Sequence, residues 1–146
     1  MDPSAAMPET LELAMATEPA WLRAWIGVLV VSNLAAVLFI VKREDGRFGV
    51  RPEPIAIVVS FLAAGAFMGW LYDQLGYVRL LGLAHLVFWG PVWVWVLIRQ
   101  REIGQASLFG KYLLLYLAVA GLSLAIDAID VARYLVGDGA LLHRWS

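Results

Sequence analysis

The stretch FGKYLLLYLAVAGLSLAIDAIDVARYLV, residues 109–136, decides how this chain is to be read. A helix crossing ~30 Å of hydrocarbon needs roughly 17–25 mostly apolar residues, and this run of 28 meets that length. It nevertheless carries Asp127, Asp130 and Arg133 toward its end. Tyr116, Ala120, Ser123, Asp127, Asp130 and Tyr134 follow one another at steps of 4, 3, 4, 3 and 4. Such spacing places these residues, both aspartates included, on one heptad stripe, which is expected to face other helices rather than acyl chains.

Energetics sharpen that expectation. On an insertion scale the thirteen Leu, Ile, Val and Phe side chains of this run contribute about −6 kcal/mol. Two aspartates at mid-membrane would cost about 5–7 kcal/mol, and Arg133 about 3 more. The helix therefore needs its charges near an interface, or neutralised by neighbours.

Three further apolar runs stand upstream, Ala20–Val41, Ile55–Tyr72 and Val78–Ile98. The fold class expected is an all-α integral membrane protein, an antiparallel four-helix transmembrane bundle in one domain with spans 20–41, 55–72, 78–98 and 109–136. An acidic N-terminal tail (1–19) and a short C-terminal tail (137–146) complete it. Continuous apolar runs exclude a membrane barrel, whose strands alternate. Backbone groups in lipid must bond within their own segment, which requires helices. Composition agrees: 62% hydrophobic and 16% charged, with mean hydropathy +0.76. A soluble domain is closer to half apolar and a quarter charged, and a chain of 146 residues could not hide so much apolar surface in water. A net charge of −1 argues against nucleic acid as a partner. The absence of cysteine removes disulfides, thiolate metal sites and cysteine nucleophiles.

Punctuation marks the ends of the spans. Residues 42–47 (KREDGR) close the first, Pro54 suits the first turn of the second, Gly76 breaks the turn between the second and third, and Arg99–Gly110 reads as a polar loop. Gly137-Asp138-Gly139 ends the fourth span. Residues 1–19 hold four acids and no Lys or Arg, so the first span is expected to be retained rather than cleaved as a signal peptide.

Lys and Arg counts give an expected orientation. Lys42, Arg43, Arg47, Arg51, Arg99, Arg101 and Lys111 fall on one side; Arg23, Arg79, Arg133 and Arg144 fall on the other. The richer side, with loops 42–54 and 99–108, is expected to be cytoplasmic in a cell (inner) membrane of bacterial type, leaving both termini outside. Trp21, Trp25, Trp70, Tyr72, Tyr77 and Tyr134 gather near the expected outer boundary, where amphipathic rings settle.

Antiparallel topology brings Arg23, Asp73, Arg79, His85, Asp127, Asp130 and Arg133 into the outer half. Three acids against three arginines and a histidine nearly cancel, and Asp130 with Arg133 has i,i+3 spacing for a pair. The candidate buried polar cluster is Asp73, Arg79, His85, Asp127, Asp130 and Arg133. Its simplest role is a ring of ion pairs that holds helix register. Its sharper role is a proton or cation path, or a ligand pocket, with Asp127 and His85 deepest. A metal site is disfavoured by the adjacent arginines and by the lack of HxxxH or ExxH spacing, and no cofactor is expected. His143 reads as a solvated tail residue.

Weaker features are kept with their plainer readings. Ser32 and Asn33 read as interhelical hydrogen-bonding glue. Gly65/Gly69 and Gly121/Ala125 allow close helix approach, within one chain or to a second copy or membrane partner. Gly90-Pro91 is expected to kink the third span. Trp89 and Trp93 either line a ligand pocket or pack. Ser123 reads as bonded to a helix carbonyl, and GxSxG, HExxH, Walker and GxGxxG patterns are absent. The expected function is a non-enzymatic accessory or scaffold membrane subunit. The alternatives are a small transporter or channel component using Asp127, Asp130 and His85, and an intramembrane enzyme acting on a lipid or quinone.

Overall fold

A computed structural model describes residues 7–140 and Leu142; the expectations for His143 and Arg144 lie outside the described residues. Helix α1 covers Leu11–Ala16, α2 Ala20–Leu34, α3 Pro52–Leu75, α4 Leu83–Ile103 and α5 Leu108–Leu135. A 3-10 segment, Ala35–Phe39, extends α2, and another, Arg79–Gly82, leads into α4. Among the described residues four helical segments are long and apolar enough to cross a membrane: Ala20–Phe39, Pro52–Leu75, Arg79–Ile103 and Leu108–Leu135.

α3, α4 and α5 follow one another through short turns, with α4 packed against both neighbours and α2 lying against α5 and α3. Ile57 and Ala64 of α3, Trp89 and Val96 of α4, and Leu113, Tyr116 and Ala120 of α5 meet in the core. Large apolar side chains such as Val31, Leu38, Leu62, Leu115 and Ile129 point outward. In water that surface would be a liability; in hydrocarbon it is the solvated face.

Three expectations need correction. The chain is not wholly helical: β1 (Val41–Glu44) and β2 (Arg47–Val50) form an antiparallel hairpin, so Val41 belongs to a strand and not to the first span. Asp45 and Gly46 at its tip have φ of 49° and 77°, the left-handed pair that a two-residue turn demands, and Asp-Gly is its strongest sequence signal. Arg51 anchors the hairpin. Its Nη1 donates to Phe39 O at 3.1 Å and its guanidinium lies 4.6 Å from the Phe109 ring.

Second, the expected 99–110 loop shrinks to residues 104–107. α4 continues through Arg99 and Arg101 to Gly104 at φ 73°, and Ser107 caps α5 by accepting from Gly110 N at 3.0 Å. Gly90 and Pro91 lie inside α4, which stays one helix from Leu83 to Ile103.

Third, the described part of the acidic tail is no loose extension. Thr10 caps α1, and Leu11 and Ala14 pack with Leu71, Tyr72, Tyr77 and Leu81 at the α3–α4 turn. The Tyr72 hydroxyl donates to Pro8 O at 2.6 Å. Burial first, and then a hydrogen bond to Glu18, push the Tyr77 hydroxyl above its ordinary range. The backbone N–H of Leu142 reaches Tyr77 O at 2.8 Å, so α1 and the segment beyond α5 both meet this turn.

Two glycines set how closely helices approach. A Cβ on Gly82 would sit 2.8 Å from Asp127 Oδ1 and 3.2 Å from Asp127 Cα. Gly121 receives the Trp93 indole, with atoms 3.1 Å from where its Cβ would stand. Gly65 and Gly69 have open space above them. Gly82→Ala should therefore lower the Tm in detergent by an overpacking cost of about 1–3 kcal/mol. Gly65→Ala should leave it level or raised, because helix propensity improves and nothing is met.

Candidate functional site

Ser123, Asp127 and Asp130 share the inward stripe of α5, and Asp127 is where the polar groups converge. Its Oδ2 lies 2.8 Å from His85 Nδ1 and accepts from Ser123 Oγ at 3.3 Å. The expectation that Ser123 bonds a helix carbonyl is corrected: its hydroxyl reaches one turn forward to the carboxylate instead. Side chains of His85 and Asp127 are 17% and 16% exposed, shielded but not sealed. The His85 ring lies on the Trp89 indole, centroids 4.0 Å apart and planes 21° apart. Stacking on one face and a carboxylate at Nδ1 fix the imidazole in position.

One turn away lies a second knot. Arg79 Nη1 donates to Asp130 Oδ1 at 2.8 Å while its Nε donates to Asp138 Oδ2 at 3.0 Å. Arg133 Nη2 donates to the same Asp138 oxygen at 2.8 Å. The i,i+3 pair expected between Asp130 and Arg133 is thus not formed; Asp130 turns inward to Arg79, and Arg133 turns to the acid just past the helix end. Asp138, read only as part of a helix stop, was missed. An acid three residues beyond Leu135 was the available signal, since the chain reverses there at Gly137 (φ 113°).

Asp73 and Arg23 do not join the cluster. Both are exposed, and neither makes an ion pair among the described residues. Asp73 lies on the last turn of α3, on the face away from the bundle.

Beside His85 and Asp127 a cavity of about 280 Å³ opens between α1 and α2 on one side and α4 and α5 on the other. Trp21, Trp25 and Tyr77 give it aromatic wall beside the His85 ring. Trp89 and Trp93 are packing residues and do not line it: Trp89 is buried between His85 and Phe61, and Trp93 Nε1 donates to Leu117 O at 2.9 Å.

Ser32 and Asn33 are not interhelical glue through their side chains. Ser32 Oγ donates to Val28 O, and Asn33 Nδ2 to Leu29 O at 2.8 Å, both inside α2. The tie to α5 comes from its own side: the Tyr112 hydroxyl donates to Ser32 O at 2.7 Å.

At the opposite end of the bundle a buried acid pairs with a half-exposed arginine, a contact the sequence does not show. Glu53, only 2% exposed, accepts from Arg99 Nε at 2.8 Å, and Arg99 also pairs with Glu102. The sequence alone places both partners in loops, 42–54 and 99–108. Glu53 between Pro52 and Pro54 was a legible helix start, where the dipole favours an acid.

The arrangement orients an imidazole and closes most of its charges on themselves. Among the described residues no three His, Asp or Glu side chains gather as metal ligands. Ser123 Oγ donates to Asp127 Oδ2 and makes no bond to His85. The chain matches no protein-family model, no curated protein and no solved structure.

The Glu53–Arg99 pair gives an asymmetric expectation. Arg99→Met strands a buried carboxylate and should lower the Tm strongly. Glu53→Gln leaves an arginine that reaches water and should cost clearly less. Thermal unfolding of the two variants in the same detergent measures the difference.

Proposed function

We propose that the chain is a non-enzymatic accessory or scaffold subunit of a cell membrane, in which paired charges hold helix register. The observation that carries this reading is the forked Arg79. It spans α5 through Asp130 and the segment beyond α5 through Asp138, with Arg133 on the same acid. A group that conducts ions needs charges free to change partners; here Arg79, His85 and Arg133 each already have a carboxylate. Loops between the spans are too short for a soluble catalytic domain, the longest being the hairpin.

Lys42, Arg43, Arg47, Arg51, Arg99, Arg101 and Lys111 all belong to the hairpin end of the bundle, in the hairpin, its exit, the last turns of α4 or the first turn of α5. That end faces the cytoplasm by the positive-inside rule, and both termini face out.

Arg79→Gln and Asp130→Asn should each lower the Tm, and the double variant should lose less than the sum, by a coupling of about 0.5–3 kcal/mol. Proteoliposomes of the wild type should pass protons and alkali cations no faster than protein-free vesicles. A flux abolished by Asp127→Asn would replace this reading with a small transporter. Because the chain lacks cysteine, orientation is tested on single-cysteine variants in intact cells. Gly139→Cys should react with an impermeant maleimide, and Asp45→Cys should react only after lysis; the reverse pattern inverts the topology.

A further inference from the structure

The charged knot and the imidazole beside the cavity do different work, and the cavity is the part that register-holding leaves unexplained. Arg79 spends donors on Asp130 and Asp138. His85 spends only Nδ1, on Asp127. In the tautomer that donates its Nδ1 proton to Asp127, the ring presents a bare Nε2 as acceptor. Nε2 has no protein partner among the described residues, and His85 lines the cavity.

Charge restricts what can enter. Asp127 and Asp130 both line the cavity and would repel an anionic head, while Arg79, also in the wall, opposes a cation. A neutral head escapes both. Size restricts it further: about 280 Å³ lies just under the ~300–1,000 Å³ usual for small-molecule sites, room for one ring but not for a whole lipid. Leu22, Trp25, Ile26 and Leu29 supply apolar and aromatic wall, and Trp21 and Ile126 stand exposed at the rim, where a tail would continue into lipid.

We propose that this cavity binds a neutral lipid-phase amphipath by a ring bearing a hydroxyl, of phenol or quinol type, with the hydroxyl donated to His85 Nε2. Trp89 and Asp127 hold the imidazole ready, so little ordering is needed on binding. The proposal stands apart from the accessory reading, which concerns stability and flux and not a ligand.

The probes are 4-octylphenol and its methyl ether, 4-octylanisole, which keeps ring and tail and loses the donor. Equilibrium binding is measured on the full chain in lipid nanodiscs, with empty nanodiscs subtracted. Wild type should bind 4-octylphenol saturably at one site, and 4-octylanisole about ten-fold more weakly, the factor that ~1.4 kcal/mol represents. His85→Phe preserves the stack on Trp89 and should remove that preference, leaving both probes equally weak. Ile26→Trp fills the cavity without touching His85 or Asp127, and should abolish saturable binding of both. Equal binding of the two probes by wild type, an undiminished preference in His85→Phe, or binding that survives Ile26→Trp would each overturn the proposal. Circular dichroism and Tm identify a variant that has lost its fold, in which case the wild-type probe pair and the other variant decide.

Discussion

A carboxylate carried on an apolar helix must find its donors inside the protein. Asp127 is the point where this requirement shapes the bundle, because in hydrocarbon no water replaces a missing partner. His85 and Ser123 meet its Oδ2, and Gly82 lets the start of α4 come close enough for the imidazole to arrive. The near contact between Gly82 and Asp127 and the His85–Asp127 bond are two sides of one constraint. Close approach makes the bond short, and the bond repays burial of the charge.

Two ends of the bundle solve the same problem differently. At the turn end, charges are gathered from the 3-10 segment before α4, from α5 and from the segment beyond α5, and both α1 and Leu142 meet Tyr77. At the hairpin end one pair, Glu53 with Arg99, joins α3 to α4 directly. Between them the core is apolar and aromatic. α2 joins this frame through the Tyr112–Ser32 bond and the Phe39–Tyr112 stack, whose centroids are 4.8 Å apart, rather than through its own side-chain donors. Its other end, with Trp21 and Trp25, stands off far enough to leave the cavity.

The residues that were easiest to place were those whose periodicity and cost agree. Asp127 and Asp130 on a heptad stripe had to turn inward, and they do. Harder to place were contacts between segments with no shared period: Asp138 folding back on Arg79, α1 seating on the α3–α4 turn, and Glu53 meeting Arg99. Asp73 illustrates the opposite error, since nearness in topology put it in the cluster while its helix face took it out. Trp89 and Trp93 show why aromatic residues resist assignment, as one ring serves equally for packing, stacking or lining and only its neighbours decide.

By itself the sequence determined the four apolar helical segments and the inward stripe of α5, because length, hydropathy and heptad spacing are local properties of a chain in a low-dielectric solvent. Tertiary structure alone decided which acid met which base. Ion pairing depends on angstrom-scale approach between helices, and that approach is set by Gly82, Gly121 and the turns rather than by the order of the charges along the chain.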